Sequence, residues 1–401
     1  MKSSRRSLLC VASTVSASGL AGCADLVFGD EKEQTVPSRW KLPLVSTRFG
    51  CTKKEEILIG HPDRDHRNLA LVGIDPEEGE LSWQVETDED DPHDLTRVTS
   101  SSNDVSLPLV FDGSVYAMTD EGYACRLDAA GGELEWAVEL PVKDTGRCGP
   151  LDAVVPLQLG STVCFLVCHG GYGDVVANLI GLAVEDGDHR FTYDVTDAPV
   201  SASTGTEAAV ILAREDGVLE AVGSDGERRW RESIDDEIIG LVAKNRVVFA
   251  AGFDYTLTAL DEDDGTVLWR HEFGAATTKP ELIEGVVVVG TENSLEGVNA
   301  ADENRAWREP LGSAPTSVRS SQERTLVLSG VGQSHTSPVE LPEHPPRLTV
   351  HETGNGRQVA DYEYEPGDGS RPVEIAVIDG QYFLSTGSFV HALDPDFIDG
   401  E

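Results

Sequence analysis

The chain has 401 residues, 39% apolar and 25% charged, with 71 Asp and Glu against 31 Lys and Arg, a net charge of −40. A surface this negative repels phosphate, which excludes a general nucleic-acid binder. Its 40 glycines and modest apolar fraction exclude a polytopic membrane protein, and its many Val, Leu and Ile runs exclude a disordered one.

Only eight of the basic residues are Lys, and the acidic excess is spread along the whole chain rather than gathered in a tail. Short carboxylates hold water and cations where exposed lysine stems would not. The pattern points to a protein of a multimolar-salt environment, where a short Debye length removes self-repulsion.

In chain order, the first element is an export signal. Ser4-Arg5-Arg6-Ser7-Leu8-Leu9 precedes a weakly apolar run that ends at Leu20-Ala21-Gly22-Cys23. Arg5 and Arg6 before such a run read as a twin-arginine signal, and Ser13, Thr14, Ser16 and Ser18 make it too polar for a permanent span. Leu-Ala-Gly-Cys resembles the lipobox of prokaryotic lipoproteins, which implies lipidation of Cys23 and removal of residues 1–22. Residues 23–37 then form an acidic tether, with Asp25, Asp30, Glu31 and Glu33. One acyl chain anchors weakly, so a diacylglycerol-type anchor on the outer face of the cytoplasmic membrane is the expectation.

From residue 38 the sequence repeats. Leu260-Asp261-Glu262-Asp263-Asp264-Gly265-Thr266-Val267-Leu268-Trp269 is the clearest copy. Others run from Asp75 through Gly79 to Trp83, from Asp128 through Gly132 to Trp136, and from Gly226 to Trp230. Val298-Asn299 leads to Trp307 with Glu303 in place of the glycine, Leu182 leads through Gly187 to Phe191, and a weak copy runs from Val350 to Gln358. Each phrase is an apolar strand ending at an Asp, a tight turn with glycine supplying positive φ, and a second strand starting toward an aromatic. Two further strands lie upstream of most copies, so each unit is an antiparallel meander of four strands, one propeller blade. The recurring aromatics are read as an inter-blade girdle rather than a site.

The final segment stops after Phe389–Pro395, where an outer strand should follow, and Ser38-Arg39-Trp40-Lys41-Leu42 can supply it. An N-terminal strand completing the last blade closes the ring and removes two sheet edges. The outer-strand positions then fall at Trp40, Trp83, Trp136, Phe191, Trp230, Trp269, Trp307 and Gln358, about 45 residues apart. The predicted fold is an all-β, eight-bladed propeller over 38–401, with seven as the alternative count because the unit near Val350 is irregular.

The phrase Leu-Thr-Ala-Leu-Asp-x-x-x-Gly-x-x-x-Trp resembles the repeat of quinoprotein-type, PQQ-like β-propellers, and the likeness covers roughly 38–398. That family includes methanol-dehydrogenase-type enzymes and a non-enzymatic, BamB-like lipoprotein branch. As an enzyme, the resemblance would imply adjacent cysteines, a Trp platform, and Glu, Asn and Asp holding Ca²⁺ beside a catalytic Asp. The nearest cysteines here are Cys164 and Cys168, and all six tryptophans belong to the girdle. No catalytic, cofactor or metal residue is therefore assigned.

Five cysteines remain after Cys10 and Cys23, an odd number, and Cys164 and Cys168 would lie about 13 Å apart on one strand, too far for a bridge. They read as buried small hydrophobes. The favoured function is a non-catalytic scaffold, monomeric, presenting loops to a protein or glycan partner. Candidate contacts are Asp91 and His93 in the acidic stretch 86–94, Tyr172 in 169–174, and His344 in 332–347. The alternatives are a PQQ- and Ca²⁺-dependent dehydrogenase, or a divalent-cation sensor using Asp63-Arg64-Asp65-His66 or Asp261–Asp264.

Overall fold

The computed structural model describes residues 37–44, 48–51, 58–61, 69–86, 100–101, 104–105, 108–118, 122–140, 157–169, 176–195, 198–234, 237–253, 256–273, 278–302, 304–321, 323–329, 346–363, 372–378, 380–386 and 388–400. They form eight four-stranded antiparallel sheets and one two-stranded ribbon, Ser100–Ser101 with Asp104–Val105. Blade 1 is Arg48–Cys51, Leu58–His61, Leu69–Ile74 and Leu81–Glu86; blade 2 spans Leu109–Glu139, blade 3 Leu157–Val195 and blade 4 Val200–Ser233. Blade 5 spans Ile238–Glu272, blade 6 Glu281–Pro310 and blade 7 Pro315–Glu363. Blade 8 takes Pro372–Ile378, Gln381–Thr386 and Val390–Leu393 from the C-terminal region and its outer strand, Ser38–Leu42, from the other end. The unit around Val350 is a regular blade, so the count is eight.

Eight hydrophobic clusters hold the ring, one at each junction between neighbouring blades. Two strands per blade are buried on both sides, as in Ala209–Arg214 and Val218–Gly223, and this is why they read as near-continuous apolar runs. Outer strands alternate instead, as in Arg228–Ser233 and Arg305–Pro310, where only the Trp side enters a junction. The inner strand of blade 1 touches those of both blade 2 and blade 8, which completes the circle.

The repeated phrase is a stitch between blades. Trp40 Nε1 donates to the Pro76 carbonyl at 3.0 Å, Trp83 to Ala129 at 2.8 Å, Trp136 to Val184 at 3.1 Å, Trp230 to Glu262 at 2.7 Å and Trp307 to Thr353 at 3.0 Å. In each case the acceptor is the second residue of the next blade's turn, one past the Asp, Ala or Glu at or just beyond the end of its third strand. The turn itself is pinned where Asp75 Oδ1 accepts from the Glu77 and Glu78 amides and Asp128 Oδ2 from Gly131. The indole then lies on the turn glycine: a Cβ on Gly132 would stand 2.6 Å from Trp83, and one on Gly356 2.3 Å from Trp307. The same two glycines have φ of +75°. Phe191 meets Gly226 in the same manner without an N–H. Trp269 is only half-buried and packs against the Phe249 ring at 5.7 Å.

Blade 7 departs from the sequence reading. The outer-strand position predicted at Gln358 belongs to Ala360, which pairs with Val350 as Trp307 pairs with Gly297. A five-residue helix, Pro395–Asp399, takes the place of the missing stitch, with Ile398 packed beside Tyr362 and the half-buried Val359. Arg324 Nε holds the helix by the Ile398 carbonyl at 3.1 Å.

Blade 7 also buries His351. Its Nδ1 lies 3.0 Å from the Gly356 carbonyl and its Nε2 2.8 Å from the Thr349 hydroxyl. A carbonyl only accepts, so Nδ1 carries the proton and Nε2 accepts from Thr349. Burial lowers the imidazole pKa from its ordinary 6.5, partly opposed by the Gly356 carbonyl and the charges of Glu309 and Asp361. The unfolded chain therefore binds a proton more readily than the folded one. The contribution of neutral His351 is complete above about pH 6.5 and is lost as pH falls through the lower folded value. Melting temperature should decline between about pH 7 and 5.5, and His351→Gln should flatten that slope; an identical slope in the variant would place the titration elsewhere.

Candidate functional site

Antiparallel hairpins place both two-strand turns of blades 1 to 7, first-to-second and third-to-fourth, and the first-to-second turn of blade 8, on one side of the ring. On that side the connections are short. Asp112-Gly113, Asn245-Arg246 and Glu284-Gly285 have positive φ at both positions, the type I′ geometry that matches strand twist. The long connections, 87–108, 140–156, 330–346 and 364–371, all join strand ends on the opposite side. The ring thus has a turn side and a loop side.

At the turn-side mouth is a cavity of about 890 Å³ walled by blades 5 to 8 and the C-terminal helix. Three inner strands contribute one charge each. Arg319 of blade 7 stands between Glu281 of blade 6, at 3.2 Å from Nη1, and Glu374 of blade 8, at 3.8 Å from Nη2. Strand alternation explains the placement of Arg319, since its neighbours Val318 and Ser320 are buried while it stays half-buried. Burial raises the Glu281 carboxyl above its usual range, against the opposing pull of Arg319. Water still reaches a quarter of its side chain, so the pair is partly screened and is a positioning contact more than a large stabilising one.

The rim continues with Lys244, which forms no ion pair with the described residues, and with Arg324, whose Nη2 lies 3.3 Å from Asp399 Oδ1. Tyr382 closes the wall, its hydroxyl 2.6 Å from the Arg324 carbonyl and 2.5 Å from Ser321 Oγ, with burial pushing its pKa up to about 12. A phenol that remains protonated and committed to a carbonyl is a wall, not a general base. Chemically the mouth offers charged and hydroxyl contacts to a bound group.

Two more carboxylates occupy matching positions on third strands. Glu296 is fully buried, with Arg305 Nε at 2.9 Å, Arg308 Nε at 3.5 Å and Ser294 Oγ donating at 3.2 Å. Glu220 accepts from Tyr193 of the neighbouring blade at 3.1 Å and faces Arg228 and Arg231 at 3.4 and 3.5 Å. Both are charges paired with arginines of their own blade, and Glu220 also ties its blade to the neighbouring one through Tyr193.

The aromatics named from sequence lie at the junctions already described. Asp91, His93, Tyr172 and His344 fall outside the described residues, as do Arg5, Arg6 and Cys23. So do Asp63, Arg64, Asp65 and His66. Among the described residues no group of three or more His, Cys, Asp or Glu side chains is arranged to hold a metal, and no helix is long and apolar enough to cross a membrane. Cys125 and Cys164 are buried free thiols whose pKa burial pushes up to about 12, so they are not nucleophiles at neutral pH. Sequence reading missed Glu281, Arg319 and Glu374. Their signal is a single charge within an apolar inner strand, as in Pro-Val-Glu-Ile-Ala-Val-Ile at 372–378.

The family model described as outer membrane protein assembly factor BamB matches residues 65–238 and 215–390. The protein of that name from Yersinia pestis is 24% identical over 300 residues, 65% of this chain and 70% of the relative. Among solved structures, BamB from Moraxella catarrhalis superposes with a TM-score of 0.59 at 14% identity, covering 90% of this chain and 98% of that one. Quinohemoprotein alcohol dehydrogenase from Comamonas testosteroni also gives 0.59, at 12% identity over 89% of this chain and 76% of that one. Likeness at these identities shows a shared fold and does not separate binder from enzyme. Matched over most of its length, and carrying the blade-to-blade stitch in its described residues, the chain belongs to the PQQ-like propeller family described as outer membrane protein assembly factor BamB.

Proposed function

We propose that this protein is a non-catalytic docking scaffold, held at the outer face of the cytoplasmic membrane through a lipidated Cys23 and presenting its loop side to a protein partner. The observation that carries the reading is the asymmetry of the ring: its longest connections all leave from one side, on a frame held by eight apolar junctions. Loops on a rigid frame are where propellers place recognition. Membership of a family described as an assembly factor supports a role in assembly. The Arg5-Arg6 pair and Leu20-Ala21-Gly22-Cys23 support export with residues 1–22 as signal and 23–37 as tether, and the carboxylate excess supports a haloarchaeal, high-salt setting. Glycan partners remain within the same reading, since the same loops would carry them.

The test is affinity capture from salt-extracted membranes with three versions of the chain. Replacing 331–345 by a short Gly-Ser linker should release a protein partner that the unaltered chain retains. A turn-side change, Lys244→Glu, should retain it. Retention by both variants would refute loop-side docking, and mass spectrometry of the bait showing unmodified Cys23 would refute the anchor. The dehydrogenase reading makes the opposite demand: dye-linked alcohol oxidation after addition of PQQ and Ca²⁺.

A further inference from the structure

The turn-side mouth is a cavity of about 890 Å³, within the size range of small-molecule sites, and loop-side docking makes no use of it. Its charges do not balance. The described lining includes Glu281, Glu284, Glu323, Glu374 and Asp399, five acids, against four bases. Three of those bases are already engaged: Arg319 with both Glu281 and Glu374, Arg324 with Asp399, and Arg39 with Glu77, an acid outside the lining. Two inner carboxylates therefore share one guanidinium. At the rim, Glu284 and Glu323 are exposed and form no ion pair with the described residues, which leaves two carboxylates to the single ammonium of Lys244.

The excess has an order in space. Glu281-Leu282-Ile283 is the inner strand of blade 6, and Glu284 begins the turn that follows. Strand alternation turns Leu282 into the junction with blade 5 and leaves Glu281 and Ile283 on the cavity side, about 7 Å apart along the strand. From the interior outward the wall is carboxylate, aliphatic, carboxylate, and Val377 of blade 8 adds a second partly exposed aliphatic surface. Burial already holds the Glu281 carboxyl above its usual range despite Arg319, so a further cation beside it is favoured. A bare metal ion does not fit, because among the described residues no three His, Cys, Asp or Glu side chains are arranged to hold one. In molar salt, where the Debye length is roughly 3 Å, a small cation also gains nothing over K⁺. Selectivity must then come from the burial of an apolar stem.

We propose that the turn-side mouth binds a linear aliphatic diamine, one ammonium on Glu281, the other among the rim carboxylates Glu284 and Glu323, and the methylene stem against Ile283 and Val377. Lys244, on the same rim, opposes the ligand and sets how tightly it is held.

Calorimetric titration of the full chain in molar KCl tests this with diaminopropane, putrescine and cadaverine, which carry the same two charges on stems of increasing length. Saturable one-site binding is expected, tightening about fourfold for each added methylene that is buried. Glu281→Gln should weaken cadaverine about tenfold, and Glu284→Gln, on an exposed turn where the fold is not at stake, by a few-fold. Lys244→Gln should tighten it, because a repulsion is removed. Glu207→Gln, the same charge change on an exposed turn of blade 4, should leave it unchanged. Absence of saturable binding would overturn the proposal. So would equal affinity for the three stems, or a loss in Glu207→Gln as large as in Glu284→Gln, since either marks loose attraction of cations to a chain of net charge −40. Weaker binding in Lys244→Gln would assign the mouth to an anion instead. N-acetyl-lysine amide offers one ammonium on the same kind of stem and should bind about tenfold more weakly than cadaverine; equal binding would assign the mouth to a lysine side chain of a partner and overturn the diamine. Failure here would leave the lipid anchor and loop-side docking untouched, because neither uses the mouth.

Discussion

Trp307→Ala is expected to lower the unfolding free energy by about 3–5 kcal/mol, the range for truncating a buried Trp. Its indole is 8% exposed and joins blade 6 to blade 7 in three ways at once. It packs against Leu295 and Val288 of its own blade and Val318 and Val327 of the next. Its Nε1 satisfies the Thr353 carbonyl, which is left without that donor in the variant. Its ring covers Gly356, so alanine opens a cavity that a turn held by the strand on each side cannot collapse to fill. Trp269→Ala should cost clearly less, because that side chain is half-buried and its main described ring partner, Phe249, belongs to the same blade. Denaturant titration at fixed, high KCl measures both, and equal losses would show that the stitch adds nothing beyond the area of the ring.

Gly356→Ala should produce the second large effect, about 3 kcal/mol, from two additive sources. An L side chain at φ +75° costs roughly 1–2 kcal/mol, and the new Cβ would stand 2.3 Å from the Trp307 ring, an overpacking of the kind that costs about 1–3 kcal/mol. Gly380 isolates the first source, since it has φ +82° but open space around its missing Cβ. Gly380→Ala should therefore cost only about 1–2 kcal/mol. If the two variants lost the same stability, the glycine of the repeated phrase would serve the turn alone and not the neighbouring indole.

These two residues also explain why the architecture was legible in sequence. An Asp, a Gly and a Trp at fixed spacing are each required by a backbone or close-packing constraint that few other residues meet, so the blades announce themselves. Blade 7 was read less well because Ala360 holds the register where an aromatic was sought, and the C-terminal helix supplies the packing instead. The mouth was harder still. Arg319, Glu281 and Glu374 come from strands far apart in the chain, and no local spacing relates them; only ring geometry brings them within 3.2 and 3.8 Å. Lys244 looks like any hairpin residue until the cavity behind it is seen.

The outer strand of blade 8 has a bearing on how the molecule is made. Residues 38–42 are made before every other strand of the ring, yet the strand they pair with, Val390–Leu393, is made after all of them. Until then blade 8 lacks a side, and Trp40 lacks the Ala392 it faces across the pair. Local hairpins can form as they are translated, but closure is a long-range event that costs loop entropy before any contact repays it. A chain released before residue 390 would leave an open ring with unpaired edges, the kind of species that aggregates or is degraded. Completion of the circle thus acts as a length check on synthesis: the first strand of the propeller acquires its partner only when the last has been read.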